Sequence, residues 1–174
     1  MDSQRNQLGV GLMEVLVALL LLAIGVLGYT GLQLRAVDAG NEALIKSQAT
    51  MMLRGLAESI RANTAGQASY PAAVQSYVAI EPNTAAPKSC LNATCTAAEM
   101  ASYQAHDVAR NALGMGVRMT MTRCPGVASG SLTQRQCLFA AWEGTTLTAT
   151  DYSNCMTTQG VYVPASRCIM MEAY

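Results

Sequence analysis

One carboxylate interrupts the most apolar stretch of the chain. Glu14 stands in Gly9-Val-Gly-Leu-Met-Glu-Val-Leu-Val-Ala-Leu-Leu-Leu-Leu-Ala-Ile-Gly-Val-Leu-Gly28 and is the only charged residue between Arg5 and Arg35. An acid in hydrocarbon costs on the order of 2.5–3.5 kcal/mol even on lenient insertion scales. A segment that only anchored the chain would do better without it, so Glu14 points to a function and to a positively charged partner.

The other groups with chemical potential are six cysteines and one histidine. Cys90, Cys95, Cys124, Cys137, Cys155 and Cys168 all follow the apolar run. An even number confined to one side of a span reads as a disulfide framework in an oxidising compartment. A metal site is disfavoured, because no C-x-x-C pair occurs and His106 has no cysteine at finger spacing. Six cysteines allow fifteen pairings; neighbours in sequence close the shortest loops, so the expected pairs are Cys90–Cys95, Cys124–Cys137 and Cys155–Cys168.

Enzyme chemistry finds little support. His106 and Asp107 are adjacent in a predicted helix and so point in different directions, and no phosphate loop or metal pattern is present. Met119, Met121, Met170 and Met171 suit core filling better than a ligand box. Tyr152 and Tyr162 suit either a binding surface or the cap of a sheet edge. The expectation is a protein without catalytic residues, metal or cofactor.

These groups sit on a chain of 174 residues with eleven acidic and eleven basic side chains and a net charge of zero. No Lys/Arg cluster stands out, so no electrostatic footprint for nucleic acid is seen. No charge occurs from Val15 to Leu34, a length that suits one membrane span of about 20 residues. A cleaved secretory signal fits poorly, since its apolar core is about 7–15 residues long and a small-residue cleavage site follows it. The positive-inside rule leans slightly toward a cytoplasmic N-terminus.

With no proline before Pro71, one helix is expected from about Val10 to about Ala62. Gly25, Gly28 and Gly31 lie inside it, as a small-residue stripe for close packing or as a weak point. Past Arg35, the residues Ile45, Ala49, Met52, Leu56 and Ile60 recur at helical spacing, with Glu42–Lys46 and Arg54–Glu58 paired on the charged face. Asn63-Thr-Ala-Gly66 ends the helix. Val74–Ile80 is strand-like, and Pro82–Cys95 reads as a disulfide-pinned loop. Thr96-Ala-Ala-Glu99 resembles a capping box that opens a second helix, with Ala101, Ala105, Val108 and Ala112 on one face. Val117–Arg123 alternates as a half-buried strand with Val117, Met119 and Met121 inward. Further strands are expected at Cys137–Trp142, Thr145–Thr150, Gly160–Val163 and Cys168–Met171. The turns between them fall at Pro125-Gly126, Ser129-Gly130 and Glu143-Gly144.

The opening segment resembles the leader of type IV prepilins: a short polar stretch ends in Gly9, Val10 would start the mature chain, and Glu14 is its fifth residue. Phenylalanine is the usual first residue, and Val10 departs from that. Gly31 stands where major pilins usually carry a proline. Leu32-Gln-Leu-Arg-Ala-Val37, Ser47-Gln-Ala-Thr50 through Ile60-Arg-Ala-Asn63, and Ala97-Ala-Glu-Met-Ala-Ser-Tyr103 are similar to the minor pilin family PilV, the type IV pilus modification proteins.

The resemblance implies an α+β fold, the pilin ladle, in which the second half of a long helix packs on an antiparallel sheet of about four strands. Residues 1–9 would be the leader, 10–34 the transmembrane half of the helix, 35–63 its amphipathic half and 64–174 the disulfide-stabilised head. It implies cleavage by prepilin peptidase after Gly9, N-methylation of Val10, and docking of Glu14 against the amine of a neighbouring subunit. The implied partners are other minor pilins, the major pilin and the peptidase. The implied location is the inner membrane, single-pass with a periplasmic head, and then the extracellular pilus at or near its tip. A type II secretion pseudopilin, a pilus-borne adhesin or DNA-binding pilin, and a membrane-anchored periplasmic enzyme are the alternatives.

Overall fold

The computed structural model describes residues 11–127 and 134–174. Gly9, Val10 and the expected turn at Ser129-Gly130 lie outside the described residues. The chain divides into two compact units, Met1–Ala43 and Leu44–Tyr174, and helix α1 (Leu12–Ala62) contributes to both.

In the first unit, every described residue through Asn41 is exposed. The helix runs without a break through Gly25, Gly28 and Gly31, where an added Cβ would meet nothing within 4 Å. It is long and apolar enough to cross a membrane.

The second unit is an α+β head. After α1 come a 3-10 turn (Thr64–Ser69), α2 (Tyr70–Ser76), α3 (Ala97–Gly114) and the strands β1 (Arg118–Arg123), β2 (Gln136–Ala141) and β3 (Cys168–Glu172). The strands form one antiparallel sheet in the order β1-β2-β3, with Met119 opposite Ala140 and Phe139 opposite Met170. Helix α3 starts as its sequence suggests. Thr96 Oγ1 accepts from the Glu99 N–H at 3.2 Å, and the Glu99 carboxylate accepts from the Thr96 N–H at 2.8 Å.

Both faces of the sheet are covered. Successive residues of a strand point to opposite faces, so Leu138 and Ala140 of β2 join Met119 and Met121 against the helices. There they meet Leu53, Leu56 and Ile60 of α1, Tyr70 and Val74 of α2, and Ala101 and Ala105 of α3. On the opposite face Cys137, Phe139 and Ala141 meet Tyr152, Cys155 and Met156 from the C-terminal loops. Phe139 and Tyr152 stack with ring centroids 4.3 Å apart. These loops have little regular structure of their own, and two disulfides fasten that layer: Cys124–Cys137 joins the end of β1 to β2, and Cys155–Cys168 joins the loop to β3. Cys90–Cys95 closes a short outlying loop.

Several expectations need correction. The sheet has three strands, not about four. Val74–Ile80 is not a strand: Pro71 starts a helix there, and Tyr70 and Val74 anchor it in the core. Thr145–Thr150 is irregular, with a bend at Ala149-Thr150, and Gly160–Val163 contributes only the single bridge Met156↔Tyr162. Strand β1 is buried on both faces rather than half-buried, because Thr120 and Thr122 lie under the loop layer. The core face of α1 also includes Leu53 and Ala57, whereas Ile45 and Met52 are only half-buried. Glu58 pairs with Arg61 at 2.7 Å rather than with Arg54.

Candidate assembly site

Helix α1 opens on the carbonyl of Gly11, which accepts from the N–H groups of Glu14 at 2.9 Å and Val15 at 3.3 Å. Glu14 therefore lies in the first turn, where the unpaired N–H groups form the positive end of the helix dipole and favour an acid. Its side chain is exposed, as are Leu19, Leu20 and Leu27 beyond it, the last at 72 %. An apolar surface of this extent has to be covered by lipid or by other helices.

The remaining site candidates fall in the head, and they do not converge. All six cysteines are disulfide-bonded, in the three sequence-adjacent pairs. His106 is buried on α3 with its ring edge-on to Tyr77. Met119 and Met121 are core residues. Tyr162 accepts from the Met170 N–H at 3.1 Å and so caps the free edge of β3. Among the described residues no group of three or more His, Cys, Asp or Glu side chains is placed to hold a metal ion. An open groove of about 750 Å³ runs past Gln75, Arg123, Gln136 and Tyr152, without a nucleophile and base in contact.

The head's perturbed groups have structural causes. The Thr96 N–H, and then Lys88, hold the Glu99 carboxyl below the usual carboxylate range. The Ser153 N–H does the same for Asp151. Burial raises the phenols of Tyr70 and Tyr174. Each of these groups serves a cap, a turn or the core.

The joint at the end of α1 brings together residues 34 positions apart, which the sequence does not announce. Asn63 Nδ2 donates to the Ala97 carbonyl at 2.8 Å and to the Tyr70 hydroxyl at 3.2 Å. Beside it, Gly66 packs so closely that a Cβ there would lie 2.9 Å from the Ala97 carbonyl carbon and closer still to its oxygen. Only the turn composition of Asn63–Gly66 signalled it, without the partner.

Residues 4–30 match the family model of the prokaryotic N-terminal methylation motif. Residues 31–106 match the model described as type IV pilin Tt1218. No curated protein and no solved structure matches the chain. Glu14 and the apolar run fall within the first match, and the amphipathic part of α1, α2 and the start of α3 fall within the second. Over these residues the chain is similar to type IV pilins and to proteins that carry an N-terminal methylation motif.

Proposed function

We propose that this protein is a minor pilin of the PilV kind. It is held in the inner membrane with its head in the periplasm, cleaved by prepilin peptidase between Gly9 and Val10, and N-methylated on Val10. It then joins the major pilin and other minor pilins at or near the pilus tip and primes assembly there. It is a structural subunit and a substrate of the peptidase.

The observation that carries this reading is the position of Glu14. It is the lone acid of the exposed apolar stretch Leu12–Leu34 of α1, lies in the first turn of that helix, and falls inside the methylation-motif match. Cleavage after Gly9 would create an α-ammonium group on Val10, one helical turn from Glu14. That cation would sit unfavourably at the positive end of the helix dipole. The carboxylate of an incoming subunit offsets it, and in a low-dielectric environment such a pair is far stronger than at a surface. Leaving either charge buried without the other would be strongly destabilising, so the pair fixes the axial position of the subunit.

The test is a Glu14→Ala variant followed through synthesis, processing and recovery in sheared pili. The variant should be made and cleaved but absent from the pilus fraction. Normal incorporation would contradict the docking role.

A further inference from the structure

The chain's single histidine lies in the head, on α3. His106 is 6 % exposed on the buried face of α3. Its ring meets the ring of Tyr77, just past the end of α2, edge-on, with centroids 5.1 Å apart and planes 73° apart. The Tyr77 hydroxyl reaches back to Ser102 Oγ on α3 at 3.4 Å. His106 Nε2 is buried and has no hydrogen-bond partner among the described residues. The charges acting on the ring are Arg110 and Asp107, both on its own helix. On β1, which also packs against α3, the cation of Arg118 is held by the Ile80 carbonyl.

A neutral imidazole is tolerated in such a place, because a bare ring nitrogen is a weak acceptor that lacks only a donor. A protonated one is not: it adds an N–H that needs an acceptor and a charge that needs solvent or a carboxylate. We propose that His106 is an acid-sensitive lock on the α2–α3 seam, closed while the ring is neutral and opened to water when the ring takes up a proton.

Burial, and secondarily Arg110, hold the ring's pKa below the ordinary 6.5, with Asp107 opposing them. The opened seam binds the proton at that ordinary value, whereas the closed seam binds it only at lower pH. Closure is therefore fully present above about pH 6.5 and weakens as pH falls below it. One extra proton in the open state raises the opening constant by up to about tenfold per pH unit in that window. The carboxyls of Glu99 and Asp151, held below their ordinary values, respond in a more acidic range.

The experiment uses the full chain in detergent micelles between pH 7 and pH 5. Because there is one histidine, its imidazole proton resonances report the ring directly, and hydrogen exchange of α2 and α3 amides reports the seam. The expected result is a ring midpoint below 6.5 and an exchange rate, corrected for intrinsic pH dependence, that rises toward tenfold per pH unit. His106→Phe keeps the edge-on ring contact without a titrating group and should lose that rise. A midpoint at or above 6.5 would overturn the proposal, as would the same acid-dependent exchange in His106→Phe. If the phenylalanine variant does not fold, His106→Gln serves the same comparison, and the wild-type midpoint decides independently.

Discussion

Asn63 Nδ2 donates to the carbonyl oxygen of Ala97 at 2.8 Å, bridging 34 residues to pin the end of α1 to the start of α3. The same carbonyl lies against Gly66, which is buried and has no room for a side chain. A single backbone group thus holds three segments of the head together.

Gly66→Ala places a methyl group 2.9 Å from that carbonyl carbon and closer still to its oxygen. The obstacle is backbone, so α3 or the 3-10 turn has to shift. The expected loss is about 1–3 kcal/mol, read as a lower denaturant midpoint with an unchanged m-value. Asn63→Ala should cost about 1–2 kcal/mol by leaving the Ala97 carbonyl and the Tyr70 hydroxyl short of a partner. The double variant should lose less than the sum, because both changes act on one joint.

The capping box on α3 makes a prediction with a pH sign. Thr96→Ala removes the acceptor for the Glu99 N–H and should cost about 1 kcal/mol. The Glu99 carboxyl is held below its ordinary value, so its contribution is present above about pH 4.5 and is lost as pH falls through the folded-state value. Thermal melts from pH 6 to pH 3 should show a shallower acid decline in Glu99→Gln than in wild type.

The three disulfides should not be equivalent. Cys155–Cys168 and Cys124–Cys137 each close a separation of 13 residues and lie in the buried layer over the sheet, whereas Cys90–Cys95 closes a separation of 5 at the surface. Replacing Cys155 and Cys168 by alanine should cost about 2–4 kcal/mol, and replacing Cys90 and Cys95 should cost measurably less. Mild reduction followed by alkylation and peptide mapping should label Cys90 and Cys95 first.

Much of this fold is legible in the residues, and the exceptions have physical reasons. The periodicity of Ile45 through Ile60 marks the packed face of α1, and Thr96 with Glu99 marks the start of α3, because caps and helical stripes are local signals. The segment Val74–Ile80, with Val74, Tyr77, Val78 and Ile80, misleads: Pro71 and the burial of Tyr70 and Val74 outweigh intrinsic strand preference. The alternation in β1 suggests one solvated face, yet Thr120 is fully buried, its hydroxyl donating to the Ala149 carbonyl at 2.6 Å. That cover comes from sequence-distant loops, which no local pattern announces. At the candidate site, Glu14 stands out by its cost alone, while the Asn63–Ala97 hydrogen bond joins residues 34 positions apart, beyond the reach of any local pattern.

The most direct measurement is the intact mass and N-terminal sequence of the protein recovered from native membranes and from sheared pili. The expected result is a chain that begins at Val10 and carries one added methyl group on its amine, present in both fractions. A chain that still begins at Met1 in cells with an active prepilin peptidase would contradict it.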